Sequence, residues 1–274
     1  MTNKQRPLIP VSPEGLDSVA EALLTGNTGK GNSAEEMGRK LEVKVDASKY
    51  IQVGINGLNG NPVVISPFEL AGHGGLKYDD AHFKLAESGL YMPTPKIFMT
   101  HFGNVVDAFK TKKKLIYANG NEVPKDVVED MYKHLTINHK AIYGSNPGAW
   151  TWLNARFVNG TGFNGLDLET VIEAKNKKLK TDKEKLETCV DRDSFVYIDF
   201  NNQGLAKTIS GNQTYSQGSN IRFWTPVKDR VAWFGASSDW AGLGCDRLPS
   251  VANSNLGVFG CAEGAVAKFG GNEK

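Results

Sequence analysis

The sequence predicts an α+β fold in which helices and mixed short antiparallel strands are joined by much irregular structure. Three observations carry that expectation. The strongest helical periodicity lies before residue 148, and short aromatic or β-branched runs take over beyond Gly148. Thirty Gly in 274 residues exceed the usual ~7% and predict many turns.

The elements follow in order. Leu16, Val19, Ala20, Leu23 and Leu24 recur at helical spacing and stop at Gly26. A second helix is predicted over Ala34–Leu41, with Ser33 as N-cap and Glu36 at capping-box spacing. The runs Ile51–Ile55 and Pro62–Ile65, separated by Gly and Asn, predict a strand pair. Asp79–Leu90 reads as helix, and Pro93 and Pro95 then mark a break. A boundary is placed there, with an N-terminal region 1–95 packed on a domain 96–274. Lys96–Phe102 alternates as a strand would. Val123–Ile137 reads as helix, with Pro124 in its first turn and Val127, Val128, Met131 and Leu135 on one face. Strands are predicted at Trp150–Val158, Leu166–Ile172, Phe195–Phe200 and Ile221–Trp224. Lys175–Lys185, with six Lys in eleven residues, is expected as a solvated loop or short helix face because Asp182 and Glu184 are interleaved.

Composition excludes several classes. Thirty-two Lys and Arg against 30 Asp and Glu leave a formal charge of +2, so no field points to nucleic acid or an anionic membrane surface. No apolar run is long enough for a membrane span, and the polar start Met1–Pro13 does not resemble a secretory signal. The compartment stays open, with a virion or cell-surface location reached by another route. Three Cys are too few for a disulfide framework. They are expected as small buried residues.

Motifs for catalysis and metal binding are sought without success. Gly26–Ser33 lacks the phosphate-loop spacing, with Leu24 and Gly31 at the positions that matter. His134 and His139 sit at i and i+5, which does not place two imidazoles on one helical face. His73 lies in a Gly-rich turn, and no Ser elbow accompanies it. Asp79/Asp80 and Asp191/Asp193 fit caps or turns. No catalytic residue, cofactor or metal is assigned.

One window has an unusual alphabet. Val231–Ala262 contains no Lys, Glu, Gln or Met, where the chain average predicts about six. A buried Gly-rich frame excludes long polar side chains because their entropy and desolvation are costly. Burial does not account for Ser237, Ser238, Asp239, Asp246, Arg247, Ser250, Asn253, Ser254 and Asn255, which are expected to face solvent. The window therefore reads as a rigid apolar frame carrying short side chains, a composition suited to binding. Trp224, Trp233, Leu243, Leu256 and Phe259 are expected to be buried frame members.

Trp150-Thr-Trp-Leu-Asn-Ala-Arg-Phe157, Gly162-Phe163-Asn-Gly-Leu-Asp-Leu168, Leu186-Glu-Thr-Cys189, Asn201-Asn-Gln-Gly-Leu205 and the window itself resemble the variable proteins of diversity-generating retroelements, in their archaeal and archaeal-virus branch. The resemblance covers about residues 96–274. It implies a C-type lectin fold, of the type shared with formylglycine-generating enzymes, that displays variable residues on a long irregular segment. It also implies diversification by a reverse transcriptase that miscopies template adenines, so that Asn codons do not become Lys, Glu, Gln or Met. Carried over by position, the diversified ligand-binding residues are Phe234, Ala236, Ser237, Ser238, Asp239, Asp246, Leu248, Ser250, Val251, Asn253 and Asn255. Trp240 departs from the pattern, because Trp is not readily reached from an Asn codon, and is read either as a fixed neighbour or as a misassigned position.

The expected function is thus a display protein, without enzyme activity, that recognises a protein ligand on a host or neighbouring cell. Two alternatives stay open. One is an enzyme-derived domain on the same fold using Cys245 and Cys261. The other is a structural or attachment component of a virus particle.

Overall fold

The strand pair expected between Tyr50 and Pro67 forms as β1 (Ile51–Asn56) and β2 (Pro62–Ile65), antiparallel with Ile51 opposite Ile65. A computed structural model describes residues 45–141 and 148–264, all within the compact unit Leu41–Lys274. The helices expected at Leu16–Leu24 and Ala34–Leu41, and the loop Gly26–Ser33, lie outside the described residues.

Among the described residues the fold is α+β, with three α-helices and two sheets. Helix α1 is Tyr78–Glu87, with Asp79 and Asp80 in its first turn, where carboxylates complement the helix dipole. Helix α2 is Pro95–Thr111, and it overturns the strand expected at Lys96–Phe102. Pro95 stands at the first helical position and the Thr94 hydroxyl accepts the Ile97 N–H at 3.3 Å. The helix buries Ile97, Phe98, Met99, His101 and Phe102, and its polar stripe of Lys96, Thr100, Asn104 and Asp107 is too narrow within Lys96–Phe102 to mark a helical period there. Helix α3 is Lys125–Thr136, with Pro124 as its N-cap residue.

The larger sheet holds β3 (Trp150–Asn159), β4 (Leu166–Lys175), β5 (Lys178–Lys185), β6 (Ser194–Tyr197), β7 (Asn220–Trp224), β8 (Arg230–Ala236) and β9 (Ala241–Arg247). Their order is β5-β4-β3-β8-β9-β7-β6, antiparallel except for the β7–β9 pair. The smaller sheet has the order β1-β2-β10, where β10 is Cys261–Glu263. Because β10 pairs with β2, this sheet joins residues from both sides of position 95.

The Lys175–Lys185 segment is a β-hairpin rather than a loop or helix face. Asn176 and Lys177 both have positive φ, the requirement of a type I′ turn. Its Lys side chains line an exposed edge strand, where charge discourages pairing with another chain.

The large sheet has two covered faces. Ala232, Phe234 and Ala236 of β8, with Ala241, Leu243 and Cys245 of β9, join one core with α2 and α3. Val231 and Trp233 pack on the opposite face with Trp150, Trp152 and Tyr78 of α1. Period-two alternation along β8 and β9 decides which side chain enters which core.

Asn154 is fully buried at a bulge in β3, between the Leu153 and Arg156 pairings. Its Oδ1 accepts the Val171 N–H and its Nδ2 donates to the Val171 carbonyl, both at 2.8 Å. The side chain thus replaces a missing stretch of strand ladder. Asn154→Ala leaves both Val171 groups unpaired and is expected to cost about 2–4 kcal/mol in denaturant unfolding.

Two buried histidines carry a pH dependence. Burial pushes His101 down to about 4, and burial with the nearby Arg156 charge pushes His82 down to about 3. Both ring nitrogens of His101 are unpartnered. The unfolded chain takes up these protons near the ordinary imidazole value of 6.5, so stability falls as pH drops below that value. His101 alone is expected to remove about 3 kcal/mol by pH 4. Melting curves across that window should show the loss, and His101→Leu should flatten it.

Candidate binding face

Four of the five Trp residues meet on one face of the large sheet. Trp150 and Trp233 stack with centroids 5.5 Å apart, and Trp224 stacks on Trp233 at 5.3 Å. Trp240 stands edge-on to all three, 5.2–6.1 Å away. Trp233 is buried, whereas Trp150, Trp224 and Trp240 are half-buried.

Glycine makes this arrangement possible. Trp233 is opposite Gly244 in the β8–β9 ladder, and a Cβ on Gly244 would lie 2.0 Å from the Trp233 Nε1. A Cβ on Gly242 would meet the Trp224 ring at 2.6 Å, and one on Gly235 the Trp233 ring at 2.9 Å. The rings lie flat over backbone, an arrangement that a side chain at any of these positions would obstruct. At these three positions the absence of long side chains therefore has a packing cause on the sheet itself.

A β-bulge then turns charges onto the aromatic floor. Val231 is opposite Arg247 but Trp233 is opposite Gly244, so β9 carries one extra residue between those pairs. Asp246 Oδ1 accepts the Trp233 indole N–H at 2.9 Å. The Arg247 guanidinium lies 5.1 Å from the Trp233 centroid and 5.7 Å from that of Trp152, within cation–π range. Burial draws Arg247 below its ordinary pKa, opposed by Asp246. Arg222 lies 5.9 Å from the Trp224 ring on the neighbouring strand.

The floor is anchored from beneath. Fully buried Glu69 accepts the Trp150 backbone N–H at 3.0 Å through Oε1, and its Oε2 lies 2.7 Å from the His134 Nε2. Burial alone pushes the His134 pKa down, but the bond and charge of Glu69, the His139 carbonyl and Asp130 outweigh it and raise the value. Its partner His139 bonds Asp130 at 2.9 Å. Both histidines thus serve carboxylates.

The positions carried over by resemblance divide. Ser238, Asp239, Asp246, Leu248, Ser250 and Asn255 are exposed, and Ser237, Val251 and Asn253 are half-buried. Ser238 and Asp239 form the tip of the β8–β9 hairpin, closed by the Ser237 N–H to the Trp240 carbonyl at 2.7 Å. Leu248–Asn255 forms an irregular segment tied down at Pro249, whose carbonyl accepts the Tyr78 N–H at 3.1 Å, and at the buried Leu256. Phe234 and Ala236 contradict the outward expectation, being fully buried. Phe234 lies 4.9 Å from Phe98 and 5.4 Å from Phe102, because even-numbered β8 residues face the helices.

Of the expected frame members, Trp233, Leu243, Leu256 and Phe259 are buried, and Trp224 is only half-buried. Residue-by-residue reading included Trp224 as a frame member but missed Trp150 and Arg222 as parts of this face. The signal was the alternation Trp233-Phe-Gly235 and Gly242-Leu-Gly244, which puts glycine on one face and apolar side chains on the other.

All three cysteines are free and buried. Cys245 lies in the large sheet and Cys261 in the small one. Burial pushes both thiols well above their ordinary value, and burial with the Asp191 charge takes Cys189 to about 12. A protonated, enclosed thiol is a poor nucleophile. No described helix is long and apolar enough to cross a membrane. Among the described residues, no group of three or more His, Cys, Asp or Glu is arranged to hold a metal ion. What the face offers chemically is aromatic area, two guanidinium groups and short hydrogen-bonding side chains.

No protein-family model, no curated protein and no solved structure matches this chain.

Gly244→Ala places a methyl group inside the Trp233 ring. It is expected to cost about 1–3 kcal/mol through overpacking, with a shift in tryptophan fluorescence as the stack opens. Gly264→Ala, where a Cβ meets nothing within 4 Å but φ is +76°, is a control that changes backbone strain and leaves the fluorescence unchanged.

Proposed function

We propose that the chain is a ligand-binding display protein with a C-type lectin fold, whose outward positions around the aromatic floor are diversified by a retroelement to recognise varying partners. The ligands are proteins on a host or neighbouring cell surface. The observation that carries this reading is the division of labour along β8, β9 and the segment after them. Trp and Gly side by side make a stiff frame, and the short side chains of Ser237–Asp239, Asp246 and Leu248–Asn255 stand around it half-buried or exposed. The antiparallel strands, the helices and the long irregular segment support the lectin-type architecture.

This reading narrows the variable set to Ser237, Ser238, Asp239, Asp246, Leu248, Ser250, Val251, Asn253 and Asn255. A surface that changes while its backbone persists needs positions where substitution is nearly free, within about 0.5 kcal/mol. Exposed Ser238, Asp239, Leu248 and Ser250 meet that condition. Asp246 is costlier to change because it holds the Trp233 indole. Aromatic and arginine groups at the centre of such a face supply contact energy that survives variation at the rim.

Two measurements test the proposal. The encoding DNA should carry a nearby template repeat, near-identical to the window and differing at adenines, beside a reverse transcriptase gene; absence of both sinks the reading. A library varying Ser238, Asp239, Leu248 and Ser250 together should keep its melting temperature, whereas Phe234→Asn should lose about 3–5 kcal/mol.

A further inference from the structure

A second site lies apart from the aromatic floor, in a cleft of about 400 Å³ between α1 and the β3–β4–β5 part of the sheet. Tyr78, Asp79 and Phe83 of α1 line one side, and Arg156 of β3 also lines the cleft. The floor is Glu169 and Val171 of β4 with Leu179 and Thr181 of β5. Its volume falls in the lower part of the range for small-molecule pockets, roughly 300–1,000 Å³.

The cleft contains unused hydrogen-bonding capacity. Tyr78 is 1% exposed, and its hydroxyl has no hydrogen-bond partner. The Ala155 backbone comes near without completing a bond. Burial pushes the phenol well above its ordinary pKa, with Arg156 opposing, so the hydroxyl keeps its proton and stays a donor. The Arg156 Nε is also buried and unpartnered, although its Nη2 bonds Asp79 at 2.8 Å and its guanidinium lies 5.6 Å from the Tyr78 ring. Two enclosed donors without acceptors cost free energy that a ligand acceptor recovers.

Charge narrows the ligand class. Arg156, Lys177, Asp79 and Glu169 line the same cleft, with Arg156 paired to Asp79 and Lys183 approaching Glu169 at 3.6 Å. A bare anion would find both donors and two opposing carboxylates. A molecule with an acceptor group and a cation close together satisfies both halves, and Phe83, Val171 and Leu179 leave an apolar wall for its body.

We propose that this cleft binds a free α-amino acid with an apolar side chain, its carboxylate on the Tyr78 hydroxyl and Arg156 Nε and its ammonium on Glu169 and Asp79. The proposal is independent of the display reading, because none of these residues belongs to the varied set.

The test is calorimetric titration of the full chain with L-leucine and L-phenylalanine, beside 4-methylpentanoate, which lacks the ammonium, and 3-methylbutylamine, which lacks the carboxylate. Saturable binding of an amino acid, at least tenfold weaker for both analogues, is the expected result. Tyr78→Phe keeps the ring against Trp152 and His82 and removes only the orphan hydroxyl, so it should keep the melting temperature and weaken binding at least fivefold. Leu179→Asp, on the exposed hairpin, should abolish binding and covers the case in which Tyr78→Phe fails to fold. No saturable binding of either amino acid, equal binding of an analogue, or undiminished affinity in a folded variant would overturn the proposal.

Discussion

Trp233 lies flat where the facing strand has no side chain, and much of the C-terminal architecture depends on that contact. Its ring occupies the space above Gly244 and Gly235, which lets Trp150 and Trp224 stack on either side and Trp240 close the edge. Large aromatic rings placed over glycine restore the burial that glycine alone forfeits in a strand. The same contact carries the bulge: Asp246 reaches the indole N–H only because β9 gains a residue after Gly244. A stiff floor and outward short side chains are therefore two consequences of one packing arrangement.

Buried polar groups connect this floor to the helices. Glu69 joins the Trp150 backbone to His134 of α3, and Asn154 stands in for strand between β3 and β4. Each has its partners close, the condition under which burying polar atoms costs little. The His134 pair and the partnerless His101 respond oppositely to pH. Glu69 raises the His134 pKa, so the stability it adds is complete below 6.5 and fades as pH rises through its folded value. His101 and His82 act on the acid side of the same midpoint. Stability from these groups together peaks near neutrality.

An element was legible where turn residues or a repeating apolar face lay within its own segment. The β1–β2 pair, α1, α3, β3 and β4 were readable because turn residues or a single apolar face marked them. Helix α2 was not, since only Lys96 and Thr100 interrupt the apolar run of its first turns, too few polar positions to show a helical period. The lysine-rich hairpin was missed for the opposite reason. With every residue but half-buried Leu179 exposed, β5 has no apolar alternation, and only the paired positive φ values at Asn176 and Lys177 reveal its turn. In the site, outward and inward positions of β8 alternate, so a reading by position included Phe234 and Ala236 with residues of the other orientation.

Composition and spacing by themselves determined the α+β class, the glycine-rich C-terminal window and the short-side-chain character of its surface. These are properties of local sequence, set by propensity, turn chemistry and the exclusion of long polar chains. Tertiary structure alone decided which four tryptophans meet, which strand edge the charged hairpin forms, and that Tyr78 and Arg156 enclose a second cleft. Those facts depend on register and on pairings such as β2 with β10, between residues roughly two hundred positions apart. A one-residue shift in register reverses every side chain, and nothing short of the assembled sheet specifies it.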